Sequence, residues 1–279
     1  MPGLTRSATL RAILRHRARS APTPPIRIAN LSTMTSLNGR IALVTGASAG
    51  IGRATARALH AAGAAVTIAA RRTEKLEELA AECPGMTVAT VDVRDADAVG
   101  ELCTSAPFDL VLANAGLARG TSFLQDGSLD DWSEVLDTNV KGVLNVARAA
   151  LPGMLARGHG DLVLLGSVAG RQVYPGGNVY CASKHAVRAI YEGLRQDAGG
   201  RGVRFSTVDP GMVETDFSLV RFRGDEEKAE AVYEGFEPLR PEDVAETIAW
   251  VVSRPRHVNI GEVVLWPTAQ ASTTKVTRD

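Results

Sequence analysis

Seven short apolar runs alternate with segments of helical character from residue 40 onward, and that alternation most constrains the fold. The runs are RIALVTG (40–46), AAVTIAA (64–70), MTVATVDV (86–93), FDLVLANAG (108–116), DLVLLGS (161–167), VRFSTVDPG (203–211) and EVVLWPT (262–268). Between them lie RATARALHAAG, TEKLEELAAEC, DADAVGELCTS, a long stretch over 128–157, a second over 178–200, and PEDVAETIAWVVS. Ser128 followed by Asp131 has the spacing of a helix cap, and Pro241 with Glu242 and Asp243 suits a first turn. Strand and helix in strict alternation imply parallel strands with helices on both faces. The expectation is α/β: a single doubly wound Rossmann domain over 36–279, with about seven parallel strands. No repeat and no linker divides it.

Composition narrows the setting. Of 279 residues, 45% are hydrophobic and 22% charged, enough for one sizeable core. Lys+Arg and Asp+Glu balance at 31 each, which argues against a nucleic acid partner. Cys83, Cys103 and Cys181 are widely spaced and the histidines are scattered, so a reducing compartment and no metal site are expected. No apolar run is long enough for a bilayer, so no membrane partner is expected. Residues 1–35 carry Arg6, Arg11, Arg15, Arg17, Arg19 and Arg27 without an acid. They read as a disordered basic N-terminal extension, with a start at Met34 or an organelle address as alternatives. A cytoplasmic protein is the expectation.

In a doubly wound sheet, ligands sit outside the carboxyl ends of the strands. TGASAGIG, VDVRD, NAG, LLGS and DPGMV all fall at such ends. In the first, Gly46 permits a tight turn, Gly50 lets backbone approach a pyrophosphate, and Gly52 lets the helix pack on the strand. Ser48 and Ile51 complete the loop, and the helix N-terminus offers N–H donors to phosphates. Where an NAD-binding chain places an acid for the ribose, this one has Arg71 and Arg72. Two guanidiniums suit a 2′-phosphate and hence NADP(H), although either could simply open a solvated helix.

YCASK (180–184) places Tyr180 and Lys184 on one helical face, one turn apart. Spacing alone leaves open a surface pair or a proton-transfer device. In the second case the phenol must drop from ~10 by ~3 units, or ~4 kcal/mol. A cation at ~4 Å supplies about that at an effective dielectric of about 20.

The set TGASAGIG, NAG, Ser167 and YCASK resembles the short-chain dehydrogenase/reductase family over residues 40 to about 270. The resemblance implies a catalytic set of Ser167, Tyr180, Lys184 and Asn139, the last acting through a water near Lys184. It implies that Asp92 and Val93 meet the adenine, that Asn114, Ala115 and Gly116 line the cofactor cleft, and that Pro210, Gly211, Val213 and Thr215 cover the nicotinamide. Tyr180 and Lys184 would also touch the cofactor. A homotetramer built on the two long helices is implied, although Ala147, Ala150, Ala182 and Ala186 would equally suit burial within one chain.

Within that family the C-terminal third, ETDFSLVRFRGDEEKAEAVY (214–233) and LRPEDVAETIAWVVSRPRHVNIGEVVLWPTAQ, is similar to NADP-dependent 3-hydroxy acid dehydrogenases. A short hydroxy acid needs its carboxylate gripped. Arg221 and Arg223 could do this, Arg171 is a rival, and all three could be plain surface charge. Val168, Ala169, Tyr174 and Phe217 would admit a hydrophobic ketone instead, which makes a broad carbonyl reductase the alternative. A nucleotide sensor without turnover is the alternative of another class, and the intact acid–base pair speaks against it.

Overall fold

The structure, a computed structural model, describes residues 36–279; the expected basic extension over 1–35 lies outside them. Strands β1 (Ile41–Thr45), β2 (Ala65–Ala70), β3 (Thr87–Thr90), β4 (Leu110–Ala113), β5 (Gly160–Leu165), β6 (Val203–Pro210) and β7 (Glu262–Leu265) form one sheet. Their order is β3-β2-β1-β4-β5-β6-β7, and every pairing is parallel. The order reverses direction between β1 and β4, and the loops from those two strands diverge there to open a crevice.

The helices are α1 (Gly50–Ala61), α2 (Thr73–Glu82), α3 (Ala96–Thr104), α4 (Leu129–Leu136), α5 (Gly142–Arg157), α6 (Asn178–Ala198), α7 (Phe217–Arg221), α8 (Glu226–Ala231) and α9 (Pro241–Val252). Side chains alternate across each strand, so the sheet feeds two cores. Ala42, Val44, Leu110 and Leu112 join Leu59, Leu76, Val244 and Ile248 on the α1–α9 face. Leu43 and Val111 join Val99, Val146, Met154, Val187 and Tyr191 on the α3–α5–α6 face. Ala147 and Ala150 belong to that second core, whereas Ala182 is exposed.

Local chemistry sets the helix ends. Asp95 caps α3 by accepting from the N–H groups of Asp97 (3.1 Å) and Ala98 (3.0 Å). Ser128 caps α4 through Asp131 N–H (3.4 Å), and Pro241 opens α9 as its spacing predicts. The stretch over 128–157 is not one regular helix. A π-turn at Asp137–Lys141 separates α4 from α5, and it carries Thr138 and Asn139. The strands also stop short of the polar tips of their apolar runs. VDV, NAG and GS are loops at the carboxyl rim.

Candidate active site

Along that rim runs a cavity of about 750 Å³. Its first wall is the loop between β1 and α1. Gly46 has φ +66°, and a β-carbon on it would lie 2.7 Å from Asn114 Nδ2. A β-carbon on Gly52 would lie 2.4 Å from the Gly46 carbonyl oxygen. The loop thus tolerates no side chain at either point. Asn114 locks it in place by donating to the carbonyls of Thr45 (2.8 Å) and Gly46 (3.2 Å). Gly46, Ser48, Gly50, Ile51 and Gly52 all line the cavity. At the end of β2, Arg72 donates twice to Ser48 Oγ, at 3.0 and 3.2 Å, and Arg71 lies beside it.

The same cavity is lined by Asp92 and Val93 after β3, by Asn114, Ala115 and Gly116 after β4, and by Pro210, Gly211, Val213 and Thr215 after β6. Asp92 already holds a partner. The Arg94 guanidinium binds it at 2.6 Å and keeps its carboxyl below the usual range.

Ser167, Tyr180 and Lys184 lie together at the inner end. Ser167 caps the short turn Val168–Gly170 by accepting from Ala169 N–H (3.1 Å). Lys184 is buried, donates to the Leu165 carbonyl (2.9 Å), and stands 6.0 Å from the centre of the Tyr180 ring. Burial lowers its pKa from 10.5 to about 8, against the pull of the Asp209 carboxylate. Here the expectation from the sequence needs correction. Tyr180 is not made acidic by its protein surroundings. Burial pushes its phenol up, and the Ser167 hydroxyl and Arg221 charge only partly offset this. Lys184 donates to the Leu165 carbonyl, and desolvation of the phenol outweighs the charges around it.

Asn139 does not line the cavity. Its amide is spent on the backbone of Leu117, accepting from N–H and donating to O at 2.8 Å each, and on Ser183 Oγ at 3.0 Å. That tie joins the π-turn to α6 one residue before Lys184. The three candidate arginines part company. Arg171 does not line the cavity, because Asp209 (2.7 Å) and Glu262 hold its guanidinium. Arg223 reaches the outer rim, where it pairs with Asp131 and is mostly exposed. Arg221 lies over the rings of Tyr180 (5.4 Å), Tyr174 (5.6 Å) and Phe217 (5.8 Å) and donates to the Tyr174 hydroxyl. Its Nε is buried without a partner, and among the described residues it pairs with no carboxylate.

The family description "short chain dehydrogenase" matches residues 40–225, which spans both the glycine loop and the Ser167–Tyr180–Lys184 group. The chain belongs to the short-chain dehydrogenase family. An NADP-dependent 3-hydroxy acid dehydrogenase of Escherichia coli strain K12 is 42% identical over 238 residues, covering 83% of this chain and 96% of the relative. An uncharacterised oxidoreductase of Mycobacterium tuberculosis is 46% identical over 236 residues, covering 85% and 94%. The closed form of a serine dehydrogenase complexed with NADP+ superposes with a TM-score of 0.82 at 41% identity, over 86% of this chain and 100% of that one.

Two groups in this short-chain dehydrogenase are not recognisable as site residues from the sequence. Asp209 lies in the DPG tip of β6 and acts on Lys184 through charge. Its neighbours Pro210 and Gly211 draw attention, while an acid at a strand tip reads as an ordinary turn residue. Tyr174 is one of the apolar wall positions, and only the fold shows that its hydroxyl meets Arg221.

Proposed function

We propose that the protein is an NADP-dependent oxidoreductase of short 3-hydroxy acids, moving a hydride between the nicotinamide and their hydroxyl or carbonyl carbon. The observation that carries the substrate assignment is Arg221. A cation stacked on Tyr180, with a buried donor unspent, is an anion site above the candidate acid. Relatives named for 3-hydroxy acids support the same reading.

The residues present fit NADP(H). The side-chain-free loop at Gly46–Gly52 offers backbone N–H groups and a helix N-terminus to a pyrophosphate. Arg72 on Ser48, with Arg71, would take the 2′-phosphate. Asp92 and Val93 would meet the adenine, Asn114, Ala115 and Gly116 the cleft side, and Pro210, Gly211, Val213 and Thr215 the nicotinamide. When bound, the nicotinamide supplies or accepts the hydride.

The proton is the work of this chain. Tyr180, held neutral by burial, is a donor at the start of reduction. Ser167 would hold the substrate oxygen by a hydrogen bond that strengthens as charge develops on it. The phenolate left behind faces the Lys184 ammonium and the Arg221 guanidinium. Both charges favour it, with Lys184 Nζ 6.0 Å and the Arg221 guanidinium 5.4 Å from the centre of its ring. Asn139 would keep α6 in register beside them. We also infer a cytoplasmic homotetramer, on family likeness and the free state of Cys83, Cys103 and Cys181. No helix among the described residues is long and apolar enough to cross a membrane.

The apolar wall of Val168, Ala169, Tyr174 and Phe217 favours a second reading, a carbonyl reductase of hydrophobic ketones. Arg221→Leu separates the two. NADP+ reduction with L-serine, L-allo-threonine and 3-hydroxypropionate is compared with NADPH oxidation by aromatic ketones. The hydroxy acid reading expects kcat/KM to fall about 10- to 100-fold further on the acids than on the ketones, because the acids lose a charge-assisted hydrogen bond and the ketones lose only the Arg221 charge beside the phenol. An equal effect on both panels sinks it.

A further inference from the structure

A closed ring of contacts lies behind Lys184, on the side away from the cleft. Lys184 donates to the Leu165 carbonyl. The next residue, Gly166, is pressed on Asp209, and a β-carbon there would fall 1.8 Å from Asp209 Oδ1. Asp209, only 2% exposed, accepts from Thr207 Oγ1 (2.6 Å) and Arg171 Nε (2.7 Å). Arg171 follows Gly170, and a β-carbon on Gly170 would lie 2.6 Å from the Lys184 backbone oxygen. The ring therefore returns to its start. Asp209, Thr207, Arg171 and Glu262 do not line the cleft, so none of them meets substrate.

We propose that Asp209 is a positioning residue: aimed by Thr207 and shared with Arg171, its carboxylate keeps the buried Lys184 an ammonium. The inference rests on the reading of Tyr180 and Lys184 as the proton-transfer pair. Other charged and titratable groups surround that pair. Tyr174 lies on the loop before α6, and Arg221 on α7. Arg188 is one turn further along α6, and Arg171 and Glu262 stand behind Asp209. Asp209 and Glu262 are the only acids in this set, and Glu262 is engaged by Arg171 and Arg188. Burial works against the Lys184 charge, and Asp209 is the group that opposes it.

Asp209→Asn removes the carboxylate, and Arg171→Gln removes the cation that competes for it. Lys184 is followed directly by NMR in protein labelled with 13C at lysine Cε, where Lys75, Lys141, Lys228 and Lys275 are the other signals. The dependence of kcat/KM on pH is measured alongside. The Lys184 midpoint should fall by about one unit in Asp209→Asn and rise in Arg171→Gln, as expected for gain or loss of an adjacent charge. The alkaline limb of turnover should follow in each case. A purely structural role would not shift the two in opposite directions. Midpoints that stay put, or move the same way in both variants, overturn the proposal. Should Asp209→Asn fail to fold, the Arg171→Gln midpoint alone decides, by rising or not. Absence of turnover in the unaltered protein would strike the functional reading, while the NMR midpoints would still decide the role of Asp209.

Discussion

At the residue scale, the chemistry depends on which protons the cleft holds. Tyr180 starts neutral and Lys184 starts charged, but Lys184 only up to about pH 8. Since the cation must be present to receive the phenolate, kcat/KM for carbonyl reduction should be flat below that pH. Above it the value should fall about tenfold per unit. A profile still flat near pH 10 would show that Lys184 need not be charged. The stability linkage has the opposite sign. The unfolded chain keeps this proton to 10.5, so the burial penalty is full below about 8 and is relieved as pH rises between the two values. Residue types and spacing made Ser167, Tyr180 and Lys184 legible in the sequence. They could not show whether burial or a neighbouring charge governs the phenol, because that balance depends on what Phe217, Tyr174 and Arg221 cover.

At the element scale, the rim is assembled from strand tips, and those were readable because apolar runs end there in glycine or polar residues. The β2–α2 junction illustrates this. Arg72 ends a strand run where an acid would read a ribose hydroxyl, and the fold lays it on Ser48 of the phosphate loop. Arg72→Ala should raise KM for NADPH about 10- to 100-fold while leaving KM for NADH within a few-fold, the loss of one charge-assisted contact. Equal changes for both cofactors would contradict a 2′-phosphate role. Other elements were illegible. The π-turn at Asp137–Lys141 lies within an unbroken helical pattern, and Asn139 reveals it only through its bonds to Leu117. The short helices α7 and α8 are too brief to show a period, yet α7 carries Arg221 and Phe217 over Tyr180.

At the scale of the whole molecule, the two ends of the sheet do different work. The carboxyl ends form the cleft. The amino ends are tied by a buried network, in which Asp161 of β5 receives Arg40 before β1 and Arg204 of β6, at 2.6 Å each. Arg40 also binds Asp109 before β4, and Arg204 reaches the Val252 carbonyl at the end of α9. Asp161→Asn leaves the buried Arg204 guanidinium without a carboxylate and Arg40 with Asp109 alone, and should cost about 3 kcal/mol in chemical denaturation. Because the cleft is at the other end of every strand, kcat at a temperature where the variant is folded should be unchanged. A fall in kcat without loss of stability would mean that the ends are not independent. The doubly wound sheet of about seven parallel strands was legible because strand and helix alternate along the chain. The Asp161 network was not, since it joins residues 40, 109, 161 and 204 that are distant in the chain.

The central claim is that the Tyr180 hydroxyl carries the proton. Tyr180→Phe should be assayed for turnover on the hydroxy acid and ketone panels, with NADPH binding measured by fluorescence in the same preparation. The account predicts kcat lower by about 10²- to 10⁴-fold, the worth of general acid–base catalysis, with NADPH affinity within a few-fold of the unaltered protein. Turnover at the full rate with NADPH bound would contradict it.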